Sequence, residues 1–185
     1  FRKTKQETST IRTWLNSDFL NTAFSAEEQA KICDTELTNG ANFTYKTPGG
    51  NNTVDKVFLL SLSEVRSTFP TDAERLADPT AYAVAQGASQ RDAFGSSWYW
   101  TRTPGYTLDS TVYVCEEGST YFSGHIVTQT GSAVRPAMWI EADGAAAQTA
   151  ASSGLVSPAI NAANVADGVR VSWSPVTNAA RYAVY

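Results

Sequence analysis

The chain has 185 residues and a formal net charge of −4, with 42% hydrophobic, 11% aromatic and 17% charged residues. That length allows a good-sized core, in one domain plus a fragment or in two small domains. Only Arg2, Lys3 and Lys5 cluster among the basic residues, so no positive stripe exists to follow a phosphate backbone and nucleic acid is not an expected partner.

From the N-terminal side, Ile11, Trp14, Leu15 and Phe19 recur at helical spacing over residues 8–24, behind Ser9 as a cap candidate. Ser25 and Glu28 stand three apart, the spacing at which a hydroxyl and a carboxylate satisfy each other's free amides, and so predict a capping box opening a short helix through Ile32. Residues 37–53 hold Asn39-Gly40 and Pro48-Gly49-Gly50-Asn51-Asn52, which is turn chemistry with room for a brief strand. Asp55 to Leu62 is almost continuously apolar, as a strand buried on both faces would be. The run from Val57 to Leu60 is the longest apolar one and is too short to cross a bilayer; no leader segment opens at Phe1.

Ser63-Glu64-Val65 begins a further helical turn, Thr71 and Glu74 repeat the capping-box spacing, and Asp78-Pro79 predicts a cap with proline at the first helical position, ended by Gly87. After Gly95 the texture becomes aromatic and β-branched, broken at Thr103-Pro104-Gly105, Glu116-Glu117-Gly118 and Thr130-Gly131-Ser132, which predicts short antiparallel strands. Helices first and strands second define an α+β domain without βαβ repeats. Residues 142–154 lose every large apolar side chain at once and are expected to be a linker; Val169 to Trp173 and Arg181 to Tyr185 then alternate as strands, too few to close a sandwich. Cys33 and Cys115 lie far apart in sequence and are expected as two independent buried thiols rather than a zinc or redox pair.

Ser9 to Asn16, Phe19 to Ser25, Thr80-Ala81-Tyr82-Ala83, Trp98 to Gly105 and Val134-Arg135-Pro136-Ala137 together resemble a domain family of unassigned function found in large extracellular bacterial proteins. The later part is similar to the C-type-lectin-like fold shared by formylglycine-generating enzymes, phage receptor-binding tips and the variable proteins of diversity-generating retroelements. Two departures stand out: Trp100-Thr101-Arg102-Thr103-Pro104 replaces the more usual Trp-Leu-Arg-Ser-Pro, and the strands that normally precede the first helix are absent. Val171-Ser172-Trp173, Ala180-Arg181-Tyr182 and Val184-Tyr185 resemble the opening strands of a fibronectin type III module. The resemblance implies a C-type-lectin-like domain at 1–141, a linker at 142–154 and an incomplete fibronectin-like unit at 155–185, in a secreted or cell-surface protein with other domains.

His125 is the only histidine, so no base for a serine or cysteine nucleophile and no histidine metal pair is expected. Copper chemistry of the formylglycine-generating kind needs neighbouring cysteines, and Cys115 has none in sequence. The calcium-binding triplets of animal lectins are absent; Asp109, Glu116 and Glu117 could contribute oxygens, but a solvated acidic turn explains them better. No metal, no cofactor and no catalysis are therefore expected.

Trp14, Trp98, Trp100, Arg102, Arg135 and Trp139 are expected to be structural, with Arg102 clamping a carboxylate and Arg135 paired within the domain. Alternation places Trp98 and Trp100 on one face, expected to be core, and Tyr99 on the other, expected to be exposed. Tyr99, Thr101, Tyr106, Asp109, Ser110, Tyr113, Tyr121, Ser123 and His125 form a mixture like that of an antibody paratope, although β-rich surfaces are commonly rich in Tyr and Thr. They are the expected ligand-binding residues of a recognition or adhesion module for a protein or glycan. An enzyme or pseudo-enzyme of the formylglycine-generating kind and a spacer without ligand are the alternatives.

Overall fold

The structure, a computed structural model, describes residues 5–90, 95–141, 160–165, 168–173 and 181–184. The expected linker at 142–154 lies outside the described residues. Short helices and open antiparallel sheets make the chain α+β.

A 3-10 turn at Gln6–Thr8 leads into α1 (Thr10–Trp14), a π-type turn at Leu15–Phe19 and α2 (Leu20–Ala23). The Ser9 hydroxyl caps α1 by accepting from the Arg12 amide. Next comes α3 (Ala26–Lys31), opened by the Ser25–Glu28 capping box. The strands β1 (Thr35–Leu37) and β2 (Thr53–Asp55) pair antiparallel across the turn-rich loop. Then follow α4 (Leu62–Thr68), α5 (Asp72–Arg75), capped by the Thr71–Glu74 box, and α6 (Ala81–Ala85).

Two helix starts differ from expectation. α4 is opened two residues earlier, by a Ser61–Glu64 capping box. α6 is capped by Thr80, not Asp78, because the Thr80 hydroxyl accepts from the Ala83 amide; Gly87, at φ +95°, closes it as expected.

In the second half, β3 (Tyr99–Pro104), β4 (Ser110–Val114) and β5 (Thr120–Ile126) form a three-stranded antiparallel sheet in sequence order. The closing strand β6 (Met138–Glu141) pairs with β9 (Arg181–Val184), and β7 (Ile160–Val165) pairs with β8 (Gly168–Trp173). The last strand of the tail is thus hydrogen-bonded to the closing strand of the first domain.

The expected strand over 55–62 takes an unusual form. Its side chains alternate as in a strand: Val57 and Leu59 enter one core with Leu15, Leu20, Ile32, Met138 and Ile140, while Phe58 and Leu60 enter another with Leu37, Val65, Tyr99 and Val114. Its backbone, however, has no continuous ladder. Phe58 exchanges a pair of bonds with Ala137 at 2.9 and 2.8 Å. Several other groups are met by side chains: the Asn16 carboxamide oxygen accepts from the Lys56 and Val57 amides, its nitrogen donates to the Val57 carbonyl, and the Arg102 guanidinium donates to the Leu59 carbonyl. A buried backbone must be satisfied by something, and here a helix asparagine and a strand arginine substitute for a neighbouring strand.

The same helix is tied down by charge, since Arg12 pairs with the buried Asp55 at 2.8 Å. Cys33 and Cys115 are free, the former half-buried and the latter buried. Among the described residues no helix is long and apolar enough to cross a membrane.

Candidate functional site: an aromatic sheet face

The β3–β4–β5 sheet has two unlike faces. Tyr99, Thr101, Val112 and Val114 point inward and are buried. The outward positions carry rings. Cross-strand register sets Trp100 opposite Tyr113 and Tyr113 opposite Tyr121. Trp98 lies edge-on to Trp100 at 5.0 Å and to Tyr113 at 5.3 Å between centroids, and Tyr113 and Tyr121 stack nearly parallel at 5.1 Å. His125 closes the group, 6.1 Å from Trp98 and 6.3 Å from Tyr113. Tyr121 and His125 are exposed and the other three half-buried.

β5 keeps these rings in reach by gaining extra residues between Tyr121 and His125, where the register shifts. Gly124 makes that irregularity possible, because its φ is +70° and a Cβ there would lie 2.4 Å from the Thr111 carbonyl oxygen. Beside the rings opens a cleft of about 240 Å³ walled by Trp98, Tyr113, His125, Gln90, Glu116 and Gln129. Burial first, then the neighbouring Tyr121, pushes the Tyr113 hydroxyl pKa above the ordinary tyrosine value, so it is a neutral donor and acceptor at physiological pH.

The expected assignment of faces fails for Tyr99. Trp98 and Trp100 do lie opposite it, but Tyr99 is a core residue, 2% exposed, while both tryptophans are part-buried and Trp100 packs against the Leu15 core. For Tyr99 the reason is its polar tip. The Tyr99 hydroxyl donates to the Arg75 carbonyl and accepts from Arg135, each at 3.1 Å, so burying it leaves no orphan. Trp14 and Trp139, also expected to be structural, leave 39% and 37% of their surface exposed. Met138 and Ile140 point inward from β6, so Trp139 between them points out.

Both arginines are held by contacts within the domain. Arg135 stacks over Phe69 at 4.4 Å and lies 5.3 Å from the Tyr99 ring. Arg102 grips both oxygens of Glu64 through its two terminal nitrogens. Strand alternation would have sent Arg102 outward with the tryptophans; the register shift between Trp100 and Pro104 turns it inward. Burial would raise the Glu64 pKa, but the Arg102 hydrogen bonds and charge outweigh it and hold the carboxyl below its usual value.

Of the nine residues expected to contact ligand, the fold brings Tyr113, Tyr121 and His125 together. Thr101 is buried and donates to the Val112 carbonyl at 2.8 Å. Ser110 is buried and bonded to Thr107. Asp109 accepts from the Thr107 hydroxyl, and Ser123 uses its carbonyl to accept from the Tyr106 amide. Tyr106 is exposed but belongs to a different patch, edge-on to Tyr45 at 6.2 Å. Trp98 and Trp100 were missed because tryptophan in an apolar strand reads as core. Arg102 could not have placed them, because alternation sets it on their face and only the register shift turns it inward. Among the described residues no group of acidic, histidine and cysteine side chains is arranged to hold a metal.

A family model described as a domain of unknown function (DUF6273) matches residues 2–142. No curated protein and no solved structure matches the chain.

Proposed function

The chain belongs to the DUF6273 family of domains of unknown function, and we propose that this domain is a non-catalytic recognition module whose aromatic sheet face binds glycan. The observation that carries this reading is the group of five rings, Trp98, Trp100, Tyr113, Tyr121 and His125, held in mutual contact on the solvent side of a sheet. Five aromatic rings left partly in water cost hydrophobic stabilisation, since each would contribute more if fully buried. Ring faces carry negative charge density, and a sugar ring presents polarised C–H groups on its face and hydroxyls around its rim. The cleft supplies matching polar groups in Gln90, Glu116, His125 and Gln129.

The order of helices and strands, with the Trp98-to-Gly105 and Val134-to-Ala137 segments, supports reading the domain as C-type-lectin-like, and the tail as the beginning of a fibronectin type III-like unit. On that reading the protein is secreted or displayed on a bacterial surface and works in adhesion. A protein ligand is disfavoured at the β3 edge, because Ala133 already exchanges backbone bonds with Trp98 and Trp100 there and closes it to strand addition.

The test is binding of the purified chain to an array of neutral glycans, wild type against Trp98→Ala and Tyr113→Ala. Central aromatic anchors contribute about 2 kcal/mol each, so binding weakens roughly thirtyfold. A displayed peptide library that yields binders at this face, with no glycan bound, would refute the glycan reading.

A further inference from the structure

A second concavity lies on the other side of the same ridge of rings. Between α1 and β3 runs a groove of about 410 Å³, whose walls include Ile11 and Trp14 from the helix and Trp100, Thr111, Val127 and Val134 from the sheet side. Trp14 is the most informative of these. It sits on the first helix, touches Phe19 at 5.2 Å, and yet leaves 39% of its surface in solvent beside the groove. Trp100 joins the two concavities: it walls this groove, and its ring is 5.0 Å from Trp98, which walls the cleft.

We infer that cleft, ridge and groove form one extended site for a linear, neutral oligosaccharide, with the ring ridge holding the middle of the chain and Trp14 a more distant sugar. This rests on the glycan reading of the aromatic face. The two concavities share the same chemistry, an aromatic ring beside small hydroxyl or amide side chains: Trp98 and Tyr113 with Gln90 and Gln129 in one, Trp14 and Trp100 with Gln6 and Thr10 in the other. Repetition of one chemistry along a path is what a polymer of repeating units requires.

Charge selects the polymer. Arg102 is the one charged side chain along the described walls of the groove, and Glu64 holds it. The cleft has an acidic wall in Glu116 and no lysine or arginine among its described walls. Among the described residues neither concavity offers a cation free to neutralise a uronate or sulfate, so an acidic polysaccharide would meet desolvation cost there without a counter-charge. A polypeptide finds no open strand edge at Trp98 and Trp100, as noted above.

The experiment measures affinities of the full chain for cello-, chito-, malto- and manno-oligosaccharides from one to six sugars. The expected result is one ladder whose affinity rises about tenfold or more between the disaccharide and the hexasaccharide. Trp14→Ala removes that gain while leaving the disaccharide affinity unchanged. Thr10→Tyr, which adds bulk at an exposed position on the groove wall and needs no core change, does the same and guards against a folding defect in the first variant. Affinity that depends on Trp98 but is flat with length and indifferent to both groove variants overturns the extended site and leaves the glycan face standing. No binding by any ladder overturns both.

Discussion

Glu64→Gln isolates the ion pair that anchors the binding sheet to the helices. The Arg102 side chain is 2% exposed and gives its two terminal nitrogens to Glu64, with one also donating to the Leu59 carbonyl at 2.8 Å. Glutamine keeps the shape and can still accept from the Ser61 amide, so the helix cap survives. What it removes is the negative charge opposite a buried guanidinium. Breaking a fully buried pair from one side costs about 3–5 kcal/mol. Here 39% of the Glu64 side chain is in water, which screens the charge and reduces the effect to roughly 2 kcal/mol.

Urea unfolding at neutral pH, with an unchanged slope, reads this loss as a lower midpoint. The pH dependence has a definite sign. Burial raises the Glu64 pKa, but the Arg102 hydrogen bond and charge, with the Ser61 hydrogen bonds, lower it by more, so the folded value is below the unfolded one. The stability it confers is present above about pH 4.5 and is lost as pH falls through the depressed folded value. Glu64→Gln therefore flattens the acid limb, and its gap to wild type shrinks in acid. Replacing both partners, Glu64→Leu with Arg102→Met, restores part of the loss because no charge is left buried. A neutral-pH change under about 0.5 kcal/mol, with a gap that stays constant into acid, would refute the reasoning.

Asn42→Ala lowers stability by about 3 kcal/mol in chemical unfolding, since the fully buried carboxamide donates to the Pro104 and Phe122 carbonyls and accepts from the Thr44 and Tyr45 amides. Tyr99→Phe costs about 1–2 kcal/mol by removing the hydroxyl between Arg75 and Arg135, and leaves glycan binding unchanged because the ring faces the core. Burial raises the Tyr99 pKa above its ordinary value, so its stabilisation is intact below about pH 10 and lost as pH rises beyond it; the phenylalanine variant has the flatter alkaline limb in pH-dependent unfolding.

Local signals in this chain are reliable where the physics is local. The Ser9 cap and the Ser25–Glu28 and Thr71–Glu74 boxes appear as their spacing predicts, because a hydroxyl three residues before an amide needs only the helix itself to find it. The α+β order, the strand texture after Gly95 and the carboxylate clamp of Arg102 were also legible, the last because a guanidinium between apolar neighbours must find a partner. Thr80 in place of Asp78 shows the limit: two capping residues within one turn compete, and backbone geometry chooses.

The candidate site was legible only in half, as Tyr113, Tyr121 and His125 without the tryptophans. Alternation along β3 puts Trp98 and Trp100 opposite Tyr99 but is symmetric between the two faces, and hydrophobicity alone favours burying the larger rings. The choice was made elsewhere in the chain. Arg75 and Arg135 offer the Tyr99 hydroxyl its partners, and Tyr99 and Val114 pack in one core with Phe58 and Leu60, which leaves the tryptophans on the other face. Residue type and spacing thus determine which side chains share a face; which face meets water depends on contacts from residues distant in sequence, and only the tertiary structure supplies them.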